Sequence, residues 1–132
     1  MPAGIPVPIT AVYAALLGLL LVLLSVVVIK LRRSLRVGIG DGGNRDLQRA
    51  IRVQGNATEY VPLFLMLLAV FELNHGSPLF LHAMGAVFVL GRMLHAWGLY
   101  GTAGASTARV IGTIATMSGL VSMAVANIWR VL

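Results

Sequence analysis

At 132 residues the chain has the length of one domain, yet 58% of it is hydrophobic and only 11% charged. Soluble domains carry roughly 25% charged residues because their surface must be hydrated. A mean hydropathy of +0.91 is that of a membrane protein, and four crossings of about 20 residues each would use roughly 80 positions and leave no separate soluble domain. The absence of cysteine excludes disulfides, thiolate metal sites and a cysteine nucleophile. The net charge of +6 does not point to nucleic acid, because the basic residues flank apolar spans without interleaved aromatic platforms.

The first span runs from Ile9 to Ile29 without a charge, follows Pro2, Pro6 and Pro8, and closes on Lys30, Arg32, Arg33 and Arg36. It is too long for a signal-peptide core and lacks a basic segment before it, so it is expected to stay in the mature protein. Gly38–Gly43 forms a loop, Asn44 or Asp46 can cap the second helix, and the Asn74–Pro78 cluster ends it. A third helix reaches from about Leu79 to Tyr100, interrupted by His82, Arg92 and His95, before the small residues Gly101–Ser106 turn the chain into the uncharged span Val110–Trp129. The expected architecture is all-α: one transmembrane domain over residues 1–132, a four-helix bundle with helices near 9–36, 46–74, 79–100 and 107–130. Nine of the ten basic residues flank the first and third loops, which predicts those loops in the cytosol and both termini on the other side. Trp129 and Arg130 fit an interfacial anchor.

Several patterns imitate chemistry. Gly38, Gly40 and Gly43 match G-x-G-x-x-G, but the strand and βαβ unit that a dinucleotide site needs have no place here. Asn56-Ala-Thr58 matches a glycosylation sequon but falls within a helix toward the cytosolic side. His75, His82 and His95 lack the spacing and the carboxylates of a metal site, so no metal is expected. Ser118, Ser122 and Ala126, four apart, read as helix packing.

The second helix carries the informative stripe. With Arg49 at zero on a wheel of about 100° per residue, Arg52 falls near 300°, Asn56 near 340°, Glu59 near 280° and Tyr60 near 20°. Glu59 stands roughly 10 Å along the axis from Arg52, inside the bilayer, where an ionisable residue is costly unless it faces a partner or a wet cavity. Arg92 and His95 form a matching stripe on the third helix, with Tyr100 near its end, and Arg109 opens the fourth. Four arginines against one glutamate leave an excess of three positive charges, which calls for an anion. The plainer alternatives are an Arg52–Glu59 ion pair and arginines that snorkel to headgroups.

The run Arg52-Val-Gln54-Gly-Asn56-Ala-Thr58-Glu59-Tyr60-Val-Pro62, followed by Gly91-Arg92 and an arginine at the head of the fourth helix, resembles the MAPEG superfamily, the membrane-associated proteins in eicosanoid and glutathione metabolism. The Arg-x-x-x-Asn-x-x-Glu-Tyr-x-Pro pattern is specific, the resemblance covers nearly the whole chain, and the Gly-Asp-Gly-Gly loop is most similar to the small bacterial branch. It implies a homotrimer in a bacterial inner membrane, with glutathione between neighbouring subunits near the cytosolic face. Arg52, Asn56, Glu59 and Tyr60 match the glutathione-binding helix, with Arg49 on the same face. Gln54 matches a further contact in the leukotriene C synthase branch, although it lies near 140° on the wheel, off the main face. Arg32 resembles a basic residue that reaches the glutathione carboxylates, Arg92 and His95 match third-helix positions, and Arg109 resembles the arginine that stabilises the thiolate. The third-helix tyrosine of the eicosanoid enzymes falls at Leu99, one residue before Tyr100. The implied activity is that of a glutathione transferase or peroxidase acting on hydrophobic electrophiles that enter from the bilayer. The alternative on the same fold is a non-catalytic lipid-binding or scaffold protein. A small transporter is disfavoured because the spans are unbroken and there is no internal repeat.

Overall fold

The computed structural model describes residues 4, 6–101, 104 and 106–132, nearly all of them in four helices: α1 (Pro8–Leu35), α2 (Arg45–Leu73), α3 (Pro78–Gly101) and α4 (Thr107–Val131). Pro2 and residues 102, 103 and 105 of the small-residue turn lie outside the described residues. Each helix is long and apolar enough to cross a membrane, and a helix can do so because it satisfies its backbone polar groups internally. Successive helices run up and down, so the α1–α2 and α3–α4 connections share one end, the basic end, while the α2–α3 turn lies at the opposite end.

The helix ends show how local chemistry fixes this arrangement. Pro8 opens α1, whose own N-cap residue, Val7, offers no side-chain acceptor. The acceptor comes instead from the last turn of α2, where Glu72 Oε1 accepts the Ile9 N–H at 2.8 Å and Oε2 the Thr10 N–H at 2.7 Å. First-turn amides have no acceptor within their own helix, and a carboxylate placed there also meets the positive end of the helix dipole. At the other end of α1, Arg36 adopts a left-handed conformation (φ 54°) and Arg32 Nη1 donates to the Gly40 carbonyl at 2.9 Å, bracing the loop. Gly40, Gly42 and Gly43 all have positive φ, so the glycine run is a turn. Asn44 then caps α2, its Oδ1 accepting the Asp46 and Leu47 N–H groups, each at 3.0 Å. Ser106 caps α4 by accepting from the Arg109 N–H, and its hydroxyl donates to the Gly98 carbonyl at 3.2 Å.

The apolar core is unevenly distributed. Its larger cluster, including Tyr13, Leu17, Val61, Phe64, Leu68, Leu81, Phe88 and Met123, fills the middle and the opposite end, with the Phe64 and Phe88 rings stacked at 3.8 Å. Toward the basic end it thins to Leu24, Val53, Ala57 and Ala96. There α3 and α4 approach backbone to backbone: a Cβ on Gly91 would stand 2.7 Å from Ala115 Cβ, and one on Gly112 would stand 2.6 Å from the Gly91 carbonyl. Small residues permit such contact between membrane helices. The buried stripe of α4 is Gly112, Thr116, Gly119 and Met123. It differs from the expected stripe, of which Ala126 packs half-buried against the larger cluster, Ser122 is half-buried and Ser118 is exposed. The difference arises because glycines, not the serines, allow α3 to come close.

Candidate functional site

A cavity of about 270 Å³ opens at the basic end between α2, α3 and α4, lined by Gln48, Arg49, Arg52, Asn56, His95, Leu99 and Arg109. The second helix supplies four of these residues from about two turns of one face, α3 supplies His95 and Leu99 four apart, and α4 supplies Arg109 from its first turn. Three guanidinium groups therefore share one small volume, and among the described residues no carboxylate lines it. A larger groove of about 660 Å³ at the opposite end, bordered by Phe71, Phe80, Val121, Val125 and Trp129, is apolar. Its one charged residue, Arg130, already donates to the Asn74 and His75 carbonyls, both at 2.9 Å.

Within the cavity wall the arginines differ. Arg49 stands 3.9 Å from Asp46, and its Nε is buried without a partner. Arg52 is exposed, and Arg109 has a long contact of 3.5 Å to the Gly104 carbonyl. Arg92 does not line the cavity but lies behind it, only 2% exposed. Its Nη2 donates to Asn56 Oδ1 at 2.6 Å and lies 3.1 Å from His95 Nδ1, while Nη1 donates to Thr116 Oγ1 at 3.3 Å. The Thr116 hydroxyl donates in turn to the Gly112 carbonyl at 2.8 Å, so its lone pair is the part that meets Arg92. One guanidinium thus ties α2, α3 and α4 together immediately beneath the cavity.

The other residues singled out from the sequence are distributed around this centre. Glu59 is exposed on α2, three residues beyond Asn56, and Arg49–Asp46 is the one ion pair within 4.0 Å among the described residues, so Arg52 and Glu59 are not paired. Tyr60 is half-buried against the larger apolar cluster. Gln54 is half-buried outside the cavity lining. Arg32 serves the loop after α1. Tyr100 packs against the smaller apolar cluster with its hydroxyl buried and unpartnered, and borders a separate depression with Val27, Lys30, Leu31, Asp46 and Arg49. Leu99 takes the cavity wall instead.

Two further residues belong to this region. Gln48 falls near 260° on the wheel, beside Arg52, so the periodicity that picked out the stripe also reaches it. Thr116 carries no such signal, because its role depends on the close α3–α4 approach. Chemically, the cavity offers several N–H donors and excess positive charge in a partly desolvated space, a setting in which charge-assisted hydrogen bonds to an anion are strong.

The sequence profile of the MAPEG family matches residues 10–129. Inner membrane protein YecN of Escherichia coli (strain K12) is 39% identical over 121 residues, covering 92% of this chain and 91% of that protein, and the same holds for YecN of Escherichia coli O6:H1. Uncharacterized protein sll1147 of Synechocystis sp. is 34% identical over 89 residues, covering 67% of this chain and 64% of that protein.

Proposed function

Because the chain belongs to the MAPEG family, we propose that it is a glutathione-binding integral membrane protein, a glutathione transferase or peroxidase acting on hydrophobic electrophiles drawn from the bilayer. The observation that carries this reading is the cavity with Arg49, Arg52 and Arg109 in its wall and no carboxylate among its described lining residues. Glutathione has two carboxylates, an ammonium and a thiol, so guanidinium donors with one outlying glutamate complement it group for group. When bound it would supply the sulfur nucleophile that a chain without cysteine lacks. Arg49 and Arg52 would hold carboxylate, Glu59 the ammonium, and Arg109 the sulfur, where a cation favours the thiolate form.

The exposed positions of α2 support a homotrimer with its sites between subunits. Arg52 and Glu59 share the outward face of that helix with Leu63 and Met66. Charged groups in a spanning segment normally face protein or water rather than lipid, and a second copy of the chain would cover them. By analogy with the relative named an inner membrane protein, the chain resides in a bacterial inner membrane, with the basic end in the cytosol and both termini on the other side.

Binding without turnover is a second reading, favoured by one observation: Tyr100 is packed away and Leu99 stands in the wall, so no phenol lines the cavity among the described residues. Titration calorimetry with glutathione in detergent, followed by turnover against a generic aromatic electrophile, tests both. Binding with turnover is expected; binding alone selects the second reading, and no binding removes both.

A further inference from the structure

Arg92 has no place in the cavity wall, and its chemistry decides what that wall presents. A guanidinium has only N–H donors and no acceptor. Every group it touches must therefore turn an acceptor toward it: Asn56 turns Oδ1 at 2.6 Å, Thr116 its hydroxyl oxygen at 3.3 Å, and His95 its Nδ1 at 3.1 Å. With Oδ1 turned to the guanidinium, the side-chain amide of Asn56 is oriented so that its NH₂ is the group left without a bond to Arg92 and available to the cavity it lines. A histidine whose Nδ1 accepts a hydrogen bond carries its proton on Nε2. Both Asn56 and His95 line the cavity, and His95 is only 6% exposed, so its ring is held in the packed wall.

We infer that Arg92 is a positioning residue that fixes the polarity of the cavity, locking Asn56 and His95 as N–H donors beside Arg49, Arg52 and Arg109, so that the cavity accepts an acceptor-only anionic group, a carboxylate or a thiolate. The choice of ligand group deepens the glutathione reading and rests on it, whereas the locked tautomer stands on the hydrogen bonds alone. One consequence is mechanistic. With Nδ1 facing the guanidinium and Nε2 already protonated, His95 has no free lone pair for a thiol proton. It acts as a hydrogen-bond donor and not as a general base, so the thiol proton is not taken up by His95.

Nitrogen-15 spectra of histidine-labelled protein in detergent without ligand read this directly, with His95 assigned by its loss in His95→Gln. The Nε2–H tautomer at neutral pH is expected; an Nδ1–H or doubly protonated ring would overturn the inference even if glutathione binds. Arg92→Gln, whose amide can donate or accept, should give a tautomer mixture, and Arg92→Lys, a donor only, should restore the Nε2–H form. An unchanged tautomer in Arg92→Gln would show that Arg92 does not set it. In a second arm, Asn56→Asp keeps an acceptor toward Arg92 but removes the donor from the cavity, so the protein should stay folded while glutathione affinity falls by about 10- to 100-fold. Equal affinity would refute the polarity argument. If wild type binds no glutathione, the functional reading fails and the tautomer measurement still decides the inference.

Discussion

At the opposite end of the bundle, Glu72, Tyr13 and Arg130 each bond to backbone groups: Glu72 to the first turn of α1, Tyr13 to the His82 carbonyl at 2.9 Å, Arg130 to the α2–α3 turn. At the basic end, Arg49, Arg52 and Arg109 converge on a cavity, and a buried arginine behind them orients its wall. The residue types are similar and all sit at or near apolar spans. A polar side chain in such a span is thus no marker of function by itself; what separates the two ends is where its hydrogen bonds go. Polar groups that complete the backbone hold the fold together, and arginines that converge on a cavity with no carboxylate among its described lining residues leave room for a ligand.

That contrast can be broken or sharpened by substitution. The largest effect is expected from Glu59→Gln, which should weaken glutathione binding by about 1.5–3 kcal/mol, the range for a hydrogen bond to a charged group, with the oligomer intact by native mass spectrometry. Dissociation of the particle with unaltered affinity would make Glu59 structural, like Glu72. Next, Gly112→Ala forces a methyl group into the α3–α4 contact. It should cost about 1–3 kcal/mol of stability in thermal unfolding and weaken binding with it, since the cavity depends on that contact. Arg109→Ala should act mainly on chemistry. Removing the cation makes the bound thiol a weaker acid, so less thiolate is present at neutral pH and turnover should recover as the pH rises. Identical thiol titrations in wild type and variant would remove Arg109 from the sulfur. Smallest is Glu72→Gln, which should lower stability by about 0.5–2 kcal/mol, the range for a lost helix cap, and leave glutathione affinity unchanged. A fall in affinity would erase the distinction between the two ends.

Much of this layout is legible in the sequence. Spans must be long and apolar to cross hydrocarbon, so α1 and α4 stand out as uncharged runs. The stripe of Arg49, Arg52 and Asn56 follows from helical periodicity alone, and all three line the cavity. What periodicity does not supply is the rotation of α3 and α4 about their axes. Gly91, Gly98 and Gly112 set it by close approach, and it decides that Leu99 faces the cavity while Tyr100 turns toward α1, and that Arg92 is buried beside Thr116. The role of Glu72 is likewise illegible, because its partners lie 62 and 63 positions away and are backbone amides with no residue type to read.

The same glutamate bears on how the chain is assembled. During synthesis α1 emerges first, with no side chain of its own to cover its opening amides. Those amides must stay in contact with interfacial water until the last turn of α2 arrives. Once it does, the hairpin is tied at both extremities, by Arg32 and the glycine turn at one and by the Glu72 carboxylate at the other. The α1–α2 hairpin is therefore closed at both ends by its own residues, and α3 adds to it the contact of its His82 carbonyl with the Tyr13 hydroxyl.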